Sequence, residues 1–97
     1  MVKIVYHDKA RDDVQRLVAF LIESDIDVAL ATFGMIEEGV SVLKNHPEIG
    51  RPTEEDNLRE LVISRGRTGY IALYAFDVLL ELVVVLRVKH QREADYG

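Results

Sequence analysis

The chain has 97 residues, of which 48% are apolar and 30% charged; this balance allows one modest hydrophobic core and excludes a disordered protein. It contains no cysteine, which excludes a disulfide framework and any thiolate metal site. The net charge is −5, but the first 57 residues hold twelve acidic and six basic side chains, whereas the rest hold five acidic and six basic ones. A basic surface, if there is one, is therefore expected from the second part of the chain.

The first half of the chain predicts one strand followed by a helix. Residues 2–6 are rich in β-branched side chains and alternate loosely, as a short strand does. Asp8 is predicted to cap the helix that follows, with Asp12 and Asp13 near its positive end. The apolar face of this helix recurs at helical spacing and consists of Ala10, Val14, Leu17, Val18, Leu21 and Ile22.

A second helix is predicted directly after the first, with Asp25 or Asp27 as its cap. Its apolar stripe, spaced by four, three, four and three residues, is Ala29, Phe33, Ile36, Val40 and Leu43. The helix must end by His46, because Pro47 disfavours a helical conformation in the residue before it.

After a polar loop at residues 47–57, the spacing of apolar residues changes from the helical period to the alternation that is typical of strands. Strands are predicted over residues 58–64 and 70–76, joined by a glycine-containing hairpin connection at residues 65–69. A tight turn at Asp77 and Val78 leads to the longest strand, residues 79–88, whose apolar character on both faces predicts a central place in the sheet.

The predicted fold class is α+β, with the order β-α-α-β-β-β. The helical hairpin is expected to pack on one face of a mainly antiparallel four-stranded sheet. No membrane span or signal peptide is indicated, since the most apolar stretch, residues 78–86, is about half the length of a span. A single cytoplasmic domain, residues 1–97, without membrane contact is the expectation.

Five segments in this order resemble the RelE/ParE superfamily of type II toxins along nearly the whole chain. The first segment lies at the start of the first helix, the second follows the second helix with an "HPxxGRP" pattern, and the other three lie on the predicted strands. The segments are Ala10–Val14, His46–Pro52, Arg59–Leu61, Tyr70–Tyr74 and Val85–Arg92.

The resemblance implies a toxin that forms a hetero-oligomer with a cognate antitoxin and uses no cofactor or metal. RelE-like members cut messenger RNA on the ribosome, whereas ParE-like members inhibit DNA gyrase by protein contact. The chain is more similar to the ParE branch, because the lysine-rich loop of RelE is replaced by the acidic residues Glu54, Glu55 and Asp56. These carboxylates would repel the phosphates of ribosome and messenger.

If the protein is a ribosome-dependent nuclease, the resemblance places its catalytic groups at Glu54 (or Glu55), Arg67 and His90. Such a reaction needs a general base, a cation beside the phosphate and a general acid. His90 is also common in ParE-like sequences, so it does not establish this chemistry. A third reading is a non-toxic family member that binds an antitoxin and acts as a regulator.

For the leading, ParE-like reading, the residues expected to contact the target are Arg59, Arg65, Arg67, Arg87, His90 and Arg92. Arg59 and Arg87 lie on predicted strands, where pairing with nearby carboxylates is the alternative. The helices also carry more apolar residues than one buried face needs. Leu30, Met35 and Val42 are therefore expected to form part of a groove for an antitoxin helix.

Overall fold

A computed structural model describes residues 1–96, except for the side chains of Arg65 and Thr68. The elements in chain order are β1 (Lys3–Tyr6), α1 (Asp8–Ile22), α2 (Ile26–Ser41), one 3-10 turn (Val42–Lys44), β2 (Arg51–Pro52), β3 (Leu58–Arg65), β4 (Thr68–Asp77) and β5 (Leu82–His90).

The strands form one sheet in the order β1-β5-β4-β3-β2, in which only β1 and β5 run parallel. Both helices pack on one face of it, and the largest fully buried side chains include Tyr74, Ile36 and Leu43. The α+β prediction is confirmed, as is the membership of β1 in the sheet. β5 is an interior strand between β1 and β4, and the middle position belongs to β4. The sheet has five strands rather than the four predicted, because Arg51 and Pro52 form a two-residue edge strand within the predicted loop.

The two helix caps differ in how well they were predicted. Asp25 caps α2 as expected, since its Oδ1 accepts hydrogen bonds from the backbone N–H groups of Asp27 and Val28 at 2.9 and 3.2 Å. The expected Asp8 cap is wrong. His7 holds that position, and its Nδ1 accepts from the backbone N–H of Lys9 at 3.1 Å. The histidine ring nitrogen here supplies the acceptor that a carboxylate usually supplies.

The buried face of α2 is rotated slightly from the predicted stripe. Ala29, Ile36 and Val40 are buried as expected, whereas Phe33 is 45% exposed and Thr32 is buried in its place. Position 32 lies between 29 and 36 at spacings of three and four residues, so both choices satisfy a helical period. The apolar pattern alone favoured the aromatic residue.

The segment between the helices and the sheet is fixed by Gly50. Its backbone N–H donates to the Tyr74 hydroxyl at 2.9 Å. A Cβ at position 50 would lie 2.6 Å from Cε1 of Tyr74 and 3.0 Å from the backbone oxygen of Glu60. Only glycine therefore fits without displacing the buried tyrosine, which explains this residue in the His46–Pro52 segment.

The connection between β4 and β5 is longer than predicted. The Oδ1 of Asp77 accepts from the backbone N–H of Leu80 at 2.9 Å, and Glu81 adopts a φ of 50°. β5 therefore starts at Leu82 rather than at Leu79, and it extends to His90. The apolar Leu79 and Leu80 favour a strand by composition, but the backbone bonds of the turn leave them 95% and 70% exposed.

Candidate functional site

Three of the predicted target-contact residues meet at one end of the sheet, which we call the basic end: Arg67, His90 and Arg92. The register pairs Tyr70 with His90, and the Gln91 side chain donates to the backbone oxygen of Arg67 at 3.3 Å. Arg67 and Arg92 are exposed there. Arg65 ends β3 at the same place, but its side chain lies outside the described part of the structure.

The His90 ring is held by its own turn. It packs edge-on against Tyr70, with ring centroids 5.1 Å apart, and its Nδ1 accepts from the backbone N–H of Arg92 at 3.1 Å. The His90 backbone N–H donates to the Glu93 carboxylate at 2.9 Å. This bond, helped by Arg16, holds the pKa of Glu93 below its usual value. The imidazole thus organises the chain after β5.

Glu54, the third residue of the possible nuclease set, lies at the opposite end of the sheet. The loop that carries it is closed where β3 begins, because the backbone N–H of Thr53 donates to the oxygen of Leu58 at 3.2 Å. β3 then runs from Leu58 to Arg65, a length of about 23 Å at 3.3 Å per residue. The fold brings Arg67 and His90 together but separates both from Glu54 and from its neighbour Glu55.

Arg87 is engaged in the interior. Its Nε and Nη2 donate to the two oxygens of Asp13 at 2.8 and 3.1 Å, and the Asp13 side chain is only 6% exposed. The same carboxylate accepts from the backbone N–H of Val88 at 2.9 Å. β1 pairs with β5 only as far as Val85. Beyond that point, the Asp13 carboxylate takes the place of a strand partner for the backbone N–H of Val88. Asp13 lies in the amino-terminal half of α1, as expected, but its contacts tie the helix to the sheet.

Arg59 also makes internal contacts. Its Nη1 donates to the backbone oxygens of Gly50 and Glu48 at 2.7 and 3.1 Å, and its Nη2 lies 4.0 Å from the Glu48 carboxylate. It therefore fastens the segment before β2 to β3. Arg59 and Arg87 lie apart from the basic end, and each pairs with a carboxylate, Arg59 with Glu48 and Arg87 with Asp13.

The sheet face that is turned away from the helices carries a polar network that the sequence did not reveal. The Tyr96 hydroxyl donates to Glu60 at 2.6 Å, and Arg51 lies 3.4 Å from the same carboxylate. Arg87 donates to the backbone oxygen of Tyr96, and the ammonium of Lys89 lies 4.8 Å from its ring centroid. Burial and the neighbouring Glu60 raise the pKa of Tyr96, so the phenol stays protonated and bound.

A separate apolar groove, which we call the α2 groove, lies between α2 and β3. It has a volume of about 440 Å³, and its apolar lining includes Met35, Val42, Ile49 and Val62. Two of the three predicted antitoxin-binding residues are thus brought together. The third, Leu30, is 63% exposed but is not part of the groove lining. β2 pairs only with Arg59 and Glu60, so within residues 1–96 the outer edge of β3 beyond them has no strand partner.

Among the described residues, neither a candidate metal-binding cluster nor a candidate membrane-spanning helix is found. Within residues 1–96, no cluster of three or more His, Asp or Glu side chains has a geometry that could bind a metal. In the same range, neither the length nor the apolarity of any helix reaches what a membrane crossing requires. The features that remain lie on the surface: the basic end, the α2 groove, and the end of the chain, where Tyr96 contacts Glu60 and Arg87.

The arrangement defines a small α+β protein in which a helical hairpin packs on one face of a five-stranded sheet. The fold is that of a solved toxin–antitoxin protein from P. aeruginosa, described as "Chromosomal ParDE TA system". The match has a TM-score of 0.76 and 22% identity, and it covers 93% of this chain and 96% of that one.

Residues 4–95 match the family model of the ParE toxin of type II toxin–antitoxin systems, parDE. The chain belongs to this toxin family. It is also 31% identical over 85 residues to "Toxin RelE3" of Caulobacter vibrioides, a match that covers 88% of this chain and 89% of that protein. The resemblance to the RelE/ParE superfamily is thereby confirmed.

Proposed function

We propose that this toxin inhibits DNA gyrase in the cytoplasm by protein–protein contact and is neutralised by a cognate antitoxin bound in the α2 groove. The observation that carries the proposal is the separation of Glu54 from Arg67 and His90. A nuclease of the kind considered needs its base, cation and acid within reach of one phosphate. The loop of Glu54 precedes β3, whereas Arg67 follows it, and β3 is about 23 Å long.

The charges around Glu54 support the same choice. Glu54, Glu55 and Asp56 are exposed, and no ion pair within residues 1–96 neutralises them. This loop would repel an RNA backbone, whose binding depends on neutralising phosphates. Arg67 and Arg92 remain available at the basic end for a protein target or for DNA held by it.

A ribosome-dependent nuclease is the second candidate function. It is favoured by the name of the Caulobacter relative, RelE3, and by the proximity of Arg67 and His90 at the basic end. That pair would have to work without Glu54, with a base supplied from elsewhere. The ribosome could supply one, so the two candidates are best separated by the product each leaves in cells.

Induction of the toxin in cells without antitoxin is expected to trigger the DNA-damage response and filamentation, because an inhibited gyrase leaves broken or overwound DNA. Messenger RNA mapped in the same cultures should show no codon-linked cuts. Co-expression of the cognate antitoxin serves as the control and should restore growth. Normal growth on induction would identify the chain as a non-toxic family member, and codon-linked cuts would favour the nuclease.

The antitoxin should bind through the apolar lining of the α2 groove. Val42 and Ile49 are 41% and 57% exposed, so replacing both by serine should leave the fold intact. The loss of two apolar contacts at the centre of an interface should weaken antitoxin binding by about tenfold to a hundredfold. Titration calorimetry with the purified antitoxin measures the change.

Ile22→Ser is a matched control for this test, because Ile22 is 48% exposed and lies at the end of α1, outside the groove lining. It should bind the antitoxin as the wild type does. Leu30→Ser shows whether the interface continues along α2. Unchanged affinity in the Val42 and Ile49 double variant would place the antitoxin elsewhere.

A further inference from the structure

The turn between β4 and β5 presents three consecutive large apolar side chains to solvent, and we call Val78, Leu79 and Leu80 the apolar tip. They are 66%, 95% and 70% exposed. Large apolar side chains stabilise a fold by leaving water, which these three do not do. Contiguous exposed apolar side chains of this kind mark interaction sites on protein surfaces.

Backbone hydrogen bonds brace the turn that carries the apolar tip. Leu80 donates to Asp77, and the backbone N–H of Lys3 donates to the oxygen of Glu81 at 2.9 Å. The amino-terminal ammonium lies 3.7 Å from the Glu81 carboxylate. A tip that is already ordered loses little conformational entropy when it binds, so its shape suits insertion into a preformed cleft.

Acidic side chains outnumber basic ones around the tip, although the amino-terminal ammonium pairs with Glu81. The segments 48–59 and 77–81, which meet at this end of the sheet, contain six carboxylates and two arginines. The Arg59 guanidinium donates to the backbone oxygen of Glu48, and Arg51 pairs with Glu60. A cleft of about 290 Å³ separates the tip from the loop of Glu55 and Asp56, with Phe76 in its lining. The end opposite Arg67 and Arg92 is therefore apolar at its centre and acidic at its rim.

We propose that the apolar tip inserts into an apolar cleft bordered by lysines and arginines on the DNA-binding face of the toxin's protein target. The inference rests on the proposed function, because a protein that grips DNA lines its binding face with basic side chains. The acidic rim complements such a face and repels nucleic acid itself. Charge complementarity of this kind speeds association and fixes orientation.

The test compares Leu79→Ser combined with Leu80→Ser against wild type in supercoiling assays with purified gyrase. Truncating apolar anchors at the centre of an interface should raise the concentration needed for half inhibition by about tenfold or more. Phe20→Ser is the matched control, because Phe20 is 73% exposed on α1, away from the tip, and should inhibit as wild type does. The thermal midpoint and the antitoxin affinity should be the same in all three proteins.

A second variant tests the acidic rim: Glu54→Gln, Glu55→Gln and Asp56→Asn together. It should inhibit more weakly than wild type at low salt, and the difference should shrink as salt screens the charges. Equal inhibition by wild type and the Leu79 and Leu80 variant would overturn the proposal. So would a loss of antitoxin binding or of self-association in that variant, since the tip would then serve a different partner. A wild type without effect on gyrase would instead overturn the proposed function, and the tip proposal with it.

Discussion

Asp13→Ala is expected to lower the free energy of unfolding by about 3–5 kcal/mol, the usual effect of removing one partner from a buried ion pair. The substitution leaves the Arg87 guanidinium, whose side chain is 21% exposed, without its bidentate partner. It also leaves the backbone N–H of Val88 without its acceptor. Chemical denaturation followed by circular dichroism measures the change.

Asp12→Ala is the control for this prediction, because Asp12 is exposed on the same helix and should change stability by less than about 1 kcal/mol. A similar small effect for Asp13→Ala would show that the ion pair does not hold α1 to the sheet. The result also bears on toxicity. A loss of toxicity in an Arg87 variant is expected to follow from unfolding, so Arg87 is a poor probe of target contact.

His90→Ala is expected to keep most of the inhibition of gyrase, with a loss of no more than about tenfold, because one polar contact at an interface rim contributes little. Replacing both Arg67 and Arg92 by alanine should reduce inhibition further, since both cations lie at the basic end. Dose–response curves in the supercoiling assay give the comparison.

The same His90 variant has a different expected effect if the protein is a nuclease. Loss of a general acid typically lowers the rate of a reaction by about 10²–10⁴-fold, so mRNA cleavage would nearly vanish. The thermal midpoint of His90→Ala is the control for a structural cause. It should fall by only a few degrees, because the ring contacts Tyr70 and the backbone of Arg92 at the end of β5 but does not belong to the buried core. A collapse of toxicity without a loss of stability would contradict the contact mechanism.

The order of elements could be predicted because helical and alternating periods differ strongly on the two sides of residue 57. The limits of single elements were harder to predict. Leu79 and Leu80 have strand-like side chains, but the Asp77 carboxylate accepts a hydrogen bond from the backbone N–H of Leu80, and Glu81 has a left-handed φ. These two features delay the start of β5 to Leu82. β2 could not be predicted, because two residues are too few to show an alternation of apolar and polar side chains.

The candidate site could be predicted only in part, because its contacts join residues far apart in the sequence. Asp13 and Arg87 are separated by 74 positions, and Tyr96 meets Glu60 across 36. A local sequence pattern cannot show which of the eight arginines form hydrogen bonds and ion pairs within the protein. Met35 and Val42 were predictable as surplus apolar residues on a helix, whereas their neighbours Ile49 and Val62 belong to other elements and had no such signal.

Purified gyrase and purified ribosomes, each incubated with the wild-type toxin alone and with its antitoxin, test the central claim most directly. The account predicts that the toxin alone blocks DNA supercoiling, that the antitoxin restores it, and that messenger RNA on the ribosome stays intact. Ribosome-dependent cleavage of messenger RNA that disappears with His90→Ala, together with unimpaired supercoiling, would contradict it.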